Sequence, residues 1–164
     1  VQERYQHMYD KNLEEDKGDV WRADAEKIEV GQAHLNTSEF VRINNKLTGT
    51  DMQVIHAVGP NCIAKEDPAK IYDAYYNCLK LANNNGFKVI AFPAISTGIF
   101  GCNKDVAADY AVKAIIDFIQ NTPKISLIAI KFVIYSKDPL NVQKEYTDSY
   151  VKSFTNKIDE KNKN

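Results

Sequence analysis

Short apolar runs alternate with amphipathic segments along the last two thirds of the chain. Three runs rich in Val, Ile and Phe have the composition of strands buried on both faces, and they occupy residues 52–58, 87–95 and 125–136. Apolar positions at helical spacing mark residues 67–86, 103–121 and 139–154. This alternation predicts parallel strands joined by right-handed crossovers. We therefore expect a three-layer α/β/α sandwich around a mixed, mainly parallel sheet.

The ends of the chain carry weaker patterns. Residues 2–16 are polar but compatible with a helix, and residues 156–164 lack apolar anchors, which predicts a polar, frayed tail. Residues 30–36 and 39–43 look extended, and we expect them to pair antiparallel at the edge of the sheet. At 164 residues the chain fits a single domain, which we assign to residues 1–155.

Composition and charge exclude several classes of function. The 21 basic and 22 acidic residues give a net charge of -1, so no global basic field attracts a nucleic acid. No apolar run approaches the roughly 20 residues of a membrane span. The three cysteines are scattered and have no CxxC spacing, which argues against disulfides and against a metal site. They predict free or structural thiols and an intracellular, reducing location, and no cofactor is indicated.

The sequence PAISTGIFGCNKD, residues 93–105, is the main candidate for chemistry. It connects a predicted strand to a predicted helix, so it lies at the carboxyl end of a parallel strand, where open α/β sheets bind ligands. Gly98 and Gly101 allow positive φ or close approach of a ligand to the backbone. Free N–H groups here, together with the start of the helix near Asn103, favour a pyrophosphate. The spacing matches neither GxxxxGK[ST] nor GxGxxG.

Two interpretations of this segment stay open at the level of the residues. The glycines could simply turn the chain from strand to helix, as Gly often does at such junctions. Ile99 and Phe100 weigh against a bare turn, because a large apolar pair beside a phosphate site suggests a wall for a sugar or base.

Together with VIHAVGP at residues 54–60, PAISTGIFG resembles the macro domain, whose members bind ADP-ribose and in several branches hydrolyse ADP-ribosyl linkages. GQAHLN at 31–36 and KFVIYS at 131–136 also resemble family segments. The resemblance covers roughly residues 20–154.

The resemblance implies roles for individual residues. The loop around the pyrophosphate and distal ribose would consist of Ser96, Thr97, Gly98, Ile99, Phe100 and Gly101. Phe100 would shape the ribose pocket, and Tyr135 would lie beside the adenine or simply close a strand end over the core. Val58, Gly59 and Pro60 would support the floor of the cleft or merely end their strand.

The family's Asn-Ala-Ala-Asn type motif and its glycine-rich loop do not appear in this sequence. We expect Val1 to follow such a glycine loop upstream, which makes the domain N-terminally incomplete. Glu3 in VQERY resembles the Gln-Glu-Glu of poly(ADP-ribose) glycohydrolases, with Arg4 in place of the second Glu. Glu3 is therefore a candidate catalytic acid, with a solvated helix end as the alternative. His56 and Cys102 are interpreted as packing residues.

Three functions follow as hypotheses. The first is binding of ADP-ribose or of a mono- or poly-ADP-ribosylated protein through STGIFG. The second is an ADP-ribosyl hydrolase or glycohydrolase that removes ADP-ribose from proteins. The third is a degenerate scaffold that binds no nucleotide. We expect no membrane partner, and nothing in the sequence points to nucleic acid.

Overall fold

The computed structural model describes residues 29–35, 43–45, 50–52, 54–135 and 137–162. The strands are β1 (Ala33–Leu35), β2 (Ile43–Asn45), β3 (Thr50–Met52), β4 (Ile55–Ala57), β5 (Val89–Phe92) and β6 (Ala129–Phe132). The helices are α1 (Lys70–Asn84), α2 (Lys104–Asn121) and α3 (Leu140–Asn162). The helix predicted at residues 2–16 lies outside the described residues.

The chain divides into two compact units. One unit consists of Val1–Glu29 and His34–His56, and the other consists of Val30–Ala33 and Ala57–Asn164. In the first unit β2 pairs antiparallel with β3, from Ile43 opposite Met52 to Asn45 opposite Thr50. Among the described residues, β1 is hydrogen-bonded to β4, and the antiparallel pairing of residues 30–36 with 39–43 stays a prediction. Residues 39–42 lie outside the described part of the chain.

Strands β5 and β6 confirm the predicted α/β crossover. They run parallel, in register from Val89 opposite Ala129 to Phe92 opposite Phe132, and α2 connects them. Ile90 and Phe92 are buried, whereas Val89 is 47% exposed. The expectation that this strand is buried on both faces is therefore not met. An uninterrupted apolar run hides the period-two alternation, because its exposed positions are apolar as well.

Aromatic side chains join the sheet to two helices. The Tyr75 ring of α1 lies 4.7 Å from the Phe92 ring and 6.1 Å from the Phe132 ring, measured between centroids. From α3, Tyr150 stacks on Phe132 at 3.9 Å. Because Phe92 and Phe132 are register partners, α1 and α3 cover the same face of the β5–β6 pair. Helix α2 packs against both of them.

The ends of the later helices differ in how well the sequence predicts them. The helix start predicted near Asn103 is confirmed, since the Asn103 side chain caps α2 by accepting hydrogen bonds from the N–H groups of Asp105 at 2.9 Å and Val106 at 3.2 Å. Helix α3 continues to Asn162, through most of the segment expected to be a frayed tail. None of the helices described is both long and apolar enough to cross a membrane.

Candidate functional site

The segment 93–103 leaves β5 at its carboxyl end, where the chain following β6 also emerges. The Val133 N–H donates to the Phe92 carbonyl at 2.8 Å, so the two chain segments separate directly beyond this bond. The backbone turns sharply at Ser96 and at Gly101, with φ of 65° and 64°. A non-glycine residue rarely adopts this left-handed conformation, so the surrounding contacts must hold Ser96 in place.

Three consecutive backbone donors of this loop have no partner in the part of the chain described here. Internal bonds occupy the N–H groups of Thr97 (to Ala94 O, 3.4 Å), Gly101 (to Gly98 O, 2.9 Å) and Cys102 (to Ser96 O, 3.0 Å). The N–H groups of Gly98, Ile99 and Phe100 make no such bond. Because buried or ligand-facing N–H groups seek acceptors, this row of donors next to the start of α2 suits an anion.

The start of the loop is fixed by a buried phenol. The Tyr75 hydroxyl donates to the Pro93 carbonyl at 2.8 Å and accepts from the Ile95 N–H at 3.3 Å. Burial, together with the neighbouring Tyr150, raises the pKa of Tyr75 well above its ordinary value. The hydroxyl therefore keeps its proton and can donate. In the sequence Tyr75 belongs to the helical pattern at residues 67–86, and no motif signals this second role.

The far end of the loop is held by the chain that follows β4. The Phe100 carbonyl accepts from the N–H groups of Cys62 at 2.9 Å and Ile63 at 3.2 Å. Gly59 is buried against the loop's beginning. A Cβ atom there would lie 2.2 Å from Ser96 Oγ and 2.4 Å from Ile95 Cγ2, so only glycine fits without a shift. Gly59 thus contacts the loop as well as ending its strand.

The cysteine prediction is wrong in one respect. Cys62 and Cys102 form a disulfide, and only Cys78 of the three is a free thiol. Sequence spacing could not show this, because the two cysteines follow different strands and are 40 positions apart. Burial raises the pKa of Cys78 to about 12, which makes its thiol unreactive. The disulfide also removes the cysteine-based argument for a reducing compartment, so the intracellular location stays a prediction.

The side chains of the loop differ in exposure. Ile99 is 72% exposed and Phe100 is 39% exposed, so the apolar pair faces away from the core. Gly98 has a φ outside the left-handed region, and a Cβ atom there would meet nothing within 4 Å. Gly101, by contrast, needs its positive φ to turn the chain. The turn interpretation therefore accounts for Gly101 and leaves Gly98 unexplained.

The remaining candidates from the sequence are Tyr135, Glu3 and His56. Tyr135 follows β6 and is 52% exposed, and no hydrogen bond or ring contact links it to residues 96–101 within the described ranges. Glu3 lies outside the described residues. His56 is half-buried on β4. Among the residues described, no group of three or more His, Cys, Asp or Glu is placed to hold a metal ion.

A second contact missed by sequence reasoning comes from α3. The Tyr146 hydroxyl lies 3.1 Å from Thr97 Oγ1. Beside it is an open cleft of about 670 Å³ between the end of the loop, the start of α2 and α3. Its walls carry both signs of charge, including the Lys104–Glu145 pair at 2.5 Å. No periodicity or motif in the sequence indicates that Tyr146 reaches the loop.

The Macro domain family model matches residues 6–111, more than half of the chain. This chain belongs to the macro domain family. The match contains both motifs quoted above, VIHAVGP and PAISTGIFG, and ends within α2. The α/β fold expected from the alternation of strands and helices is therefore confirmed as a macro fold.

Two similar curated proteins are O-acetyl-ADP-ribose deacetylases. That of Enterobacter sp. (strain 638) is 49% identical over 72 residues, which cover 43% of this macro domain chain and 40% of the relative. That of Escherichia fergusonii is 53% identical over 68 residues, covering 40% of this chain and 38% of the relative. The chain thus spans less than half the length of these relatives.

Solved macrodomains share the fold at low sequence identity. The Oceanobacillus iheyensis macrodomain with ADP has a TM-score of 0.61 at 24% identity, covering 85% of this chain and 65% of that one. The Trypanosoma brucei macrodomain in complex with ADP-ribose has a TM-score of 0.56 at 22% identity, covering 76% of this chain and 45% of that one. At these identities the likeness establishes the fold alone.

Replacing Gly59 by Ala should destabilise the domain, because the new methyl group would overlap Ser96 and Ile95. We expect a loss of about 1–3 kcal/mol in the free energy of unfolding, measured by urea denaturation. Gly98→Ala is the matched control, since its methyl group enters open space, and it should be neutral or stabilising by up to about 1 kcal/mol. Equal destabilisation by both variants would contradict the close packing of Gly59 on the loop.

Reducing the Cys62–Cys102 disulfide should lower thermal stability. Cross-linking residues 40 positions apart restricts the unfolded chain. The chain-entropy relation gives roughly 3–4 kcal/mol for a loop of that length. We expect the melting temperature, followed by circular dichroism, to fall by about 10 °C when a dithiol reductant is added. A Cys62→Ser, Cys102→Ser double variant should melt at the lower temperature with or without reductant. An unchanged wild-type melting temperature would argue against the cross-link.

Proposed function

We propose that this chain binds ADP-ribose, free or attached to a protein, at the loop Ser96–Gly101. The observation that carries the proposal is the row of unpaired N–H groups at Gly98, Ile99 and Phe100, at the carboxyl end of β5. In a macro domain these donors are well suited to the diphosphate of the ligand. The O-acetyl-ADP-ribose deacetylases among the relatives, and the Trypanosoma brucei macrodomain in complex with ADP-ribose, support the choice of ligand.

The charges of the loop favour recognition by dipoles rather than by ion pairs. No Lys or Arg lies between residues 89 and 103. The first basic residue, Lys104, is already paired with Glu145. Oriented backbone donors therefore supply the attraction for the diphosphate, and a single phosphate would use fewer of them. We infer a preference for ADP-ribose over AMP.

Two side chains complete the proposed ligand pocket. The Phe100 ring is partly exposed and is anchored through its own carbonyl group, so it can form an apolar wall beside the distal ribose. Tyr135 leaves the sheet at the same edge, and its exposed ring is available to stack on the adenine. In this proposal Gly98 lacks a side chain so that the diphosphate can approach the backbone.

Isothermal titration calorimetry with ADP-ribose tests the proposal. Gly98→Glu would place a carboxylate beside the unpaired N–H groups, and its repulsion of the diphosphate should weaken binding at least about tenfold, or 1.4 kcal/mol. Gln120→Glu is the control, because it adds the same charge at an exposed position near the other end of α2. We expect the control to bind like the wild type and AMP to bind more weakly than ADP-ribose. Equal heats for wild type and Gly98→Glu would refute the loop assignment.

Hydrolysis is the second candidate function, and the names of the two deacetylase relatives favour it. The loop alone offers little for such a reaction, because residues 93–103 contain no carboxylate and no histidine. A group that activates water or protonates a leaving group would have to come from another segment. Glu3 is the candidate suggested by the sequence.

Incubation with O-acetyl-ADP-ribose separates binding from hydrolysis. We expect the chain to bind this compound without releasing acetate faster than buffer does, since the loop supplies donors but no general base. The measurement is acetate release over time, with a mono-ADP-ribosylated protein as a second substrate for release of ADP-ribose. Release from either substrate that Glu3→Gln abolishes would make hydrolysis the leading function.

A further inference from the structure

The contact between Tyr146 and Thr97 has a defined direction. Thr97 Oγ1 donates its single proton to the Ala94 carbonyl at 2.9 Å. The hydroxyl of Thr97 therefore has only acceptor capacity left for Tyr146, whose own hydroxyl must be the donor at 3.1 Å. The result is a short chain of hydrogen bonds that runs from α3 through the Thr97 side chain to the backbone at the start of the loop.

Tyr146 is itself held by the residue that begins α2. Lys104 Nζ lies 4.8 Å from the centroid of the Tyr146 ring and 2.5 Å from a carboxylate oxygen of Glu145. The hydrogen bond to Glu145 is the main cause that raises the pKa of Lys104, so the ammonium group stays charged over the ring. Lys104 follows the loop directly in sequence, and it thereby links the loop's exit to the same tyrosine that supports its entry.

The row of unpaired donors is bounded by the Thr97 side chain and by the carbonyl group of Phe100, and neighbouring segments hold both. Thr97, on one side, is fixed by Tyr146. Phe100, on the other, is fixed through its carbonyl by the N–H groups of Cys62 and Ile63. Without the Tyr146 bond, the Thr97 side chain would keep only its bond to the nearby Ala94 carbonyl, and this end of the row of donors would lose its support from α3. A ligand would then have to order them on binding, and that ordering costs free energy.

We propose that Tyr146 is a positioning residue for the loop, and that α3 thereby contributes to ligand affinity without touching the ligand. The affinity part of this inference rests on the proposed ADP-ribose binding, whereas the ordering of the loop does not. Preorganised donors need support from outside the binding site, and here that support comes from a helix that follows the last strand.

The test compares Tyr146→Phe with Tyr72→Phe. Tyr72 is a matched control, because Lys113 Nζ also lies 4.8 Å from its ring centroid and its hydroxyl interacts with Asp117, yet it is on α1 and makes none of the contacts that hold the loop. Both changes keep the ring and remove one hydroxyl group. We expect Tyr146→Phe to weaken ADP-ribose binding about three- to tenfold, as for loss of one hydrogen bond, and Tyr72→Phe to leave it unchanged.

Hydrogen exchange in the ligand-free protein provides a readout that does not depend on binding. In Tyr146→Phe we expect faster exchange of the N–H groups of Thr97, Gly101 and Cys102, whose bonds are internal to the loop. Exchange within α1 should stay at the wild-type rate, which shows that the variant is folded. Thr97→Val removes this hydrogen bond together with the bond from Thr97 Oγ1 to the Ala94 carbonyl. Adding Tyr146→Phe to Thr97→Val should therefore have little effect beyond that of Thr97→Val alone.

The outcomes distinguish the positioning role of Tyr146 from the proposed binding of ADP-ribose. Weaker ADP-ribose binding and faster hydrogen exchange of the loop in Tyr146→Phe, with neither change in Tyr72→Phe, support the inference. Wild-type exchange and affinity in that variant overturn it, as do additive effects in the double variant. If the wild type does not bind ADP-ribose, the proposed function fails. Hydrogen exchange in ligand-free Tyr146→Phe would still show whether Tyr146 orders the loop.

Discussion

The buried hydroxyl of Tyr75 is the interaction on which the candidate site depends. It lies where β5 ends and bonds to both Pro93 and Ile95, while its ring packs against Phe92 and Phe132. One side chain therefore belongs to the apolar core and also fixes the first residues of the loop. A buried phenol without partners would be costly, so the position of the loop and the packing of α1 on the sheet are tied together.

Beyond Tyr75, the loop is supported by segments that precede and follow it. Gly59, Cys62 and Ile63 come from the chain after β4, and Tyr146 comes from α3. These contacts engage carbonyls, a hydroxyl and the disulfide, and they leave three N–H groups unengaged. Rigid surroundings with free donors in the middle are what recognition of a diphosphate by backbone dipoles requires, because such dipoles attract well only when they are already oriented.

The sequence predicted those features whose cause is local. Asn103 caps α2 because a side chain bonds to nearby N–H groups, and the apolar runs of β5 and β6 predict their parallel crossover. It failed where the cause is a contact between distant residues. Cys62 and Cys102 are 40 positions apart, and only the fold brings them together. Tyr75 and Tyr146 look like ordinary helix residues until the fold brings their hydroxyls to the loop, and nothing in their spacing reveals it.

The separation of the loop's partners along the chain also bears on how the site forms. Tyr75 lies 18 positions before Pro93, the disulfide spans 40, and Tyr146 lies 49 positions after Thr97. Contacts of this range raise the contact order, and each requires a long stretch of chain to be closed. The best-supported conformation of the loop therefore needs chain on both sides of it, as far as α3. A nascent chain that has not yet made α3 carries the macro domain's motifs without the contact that Tyr146 provides.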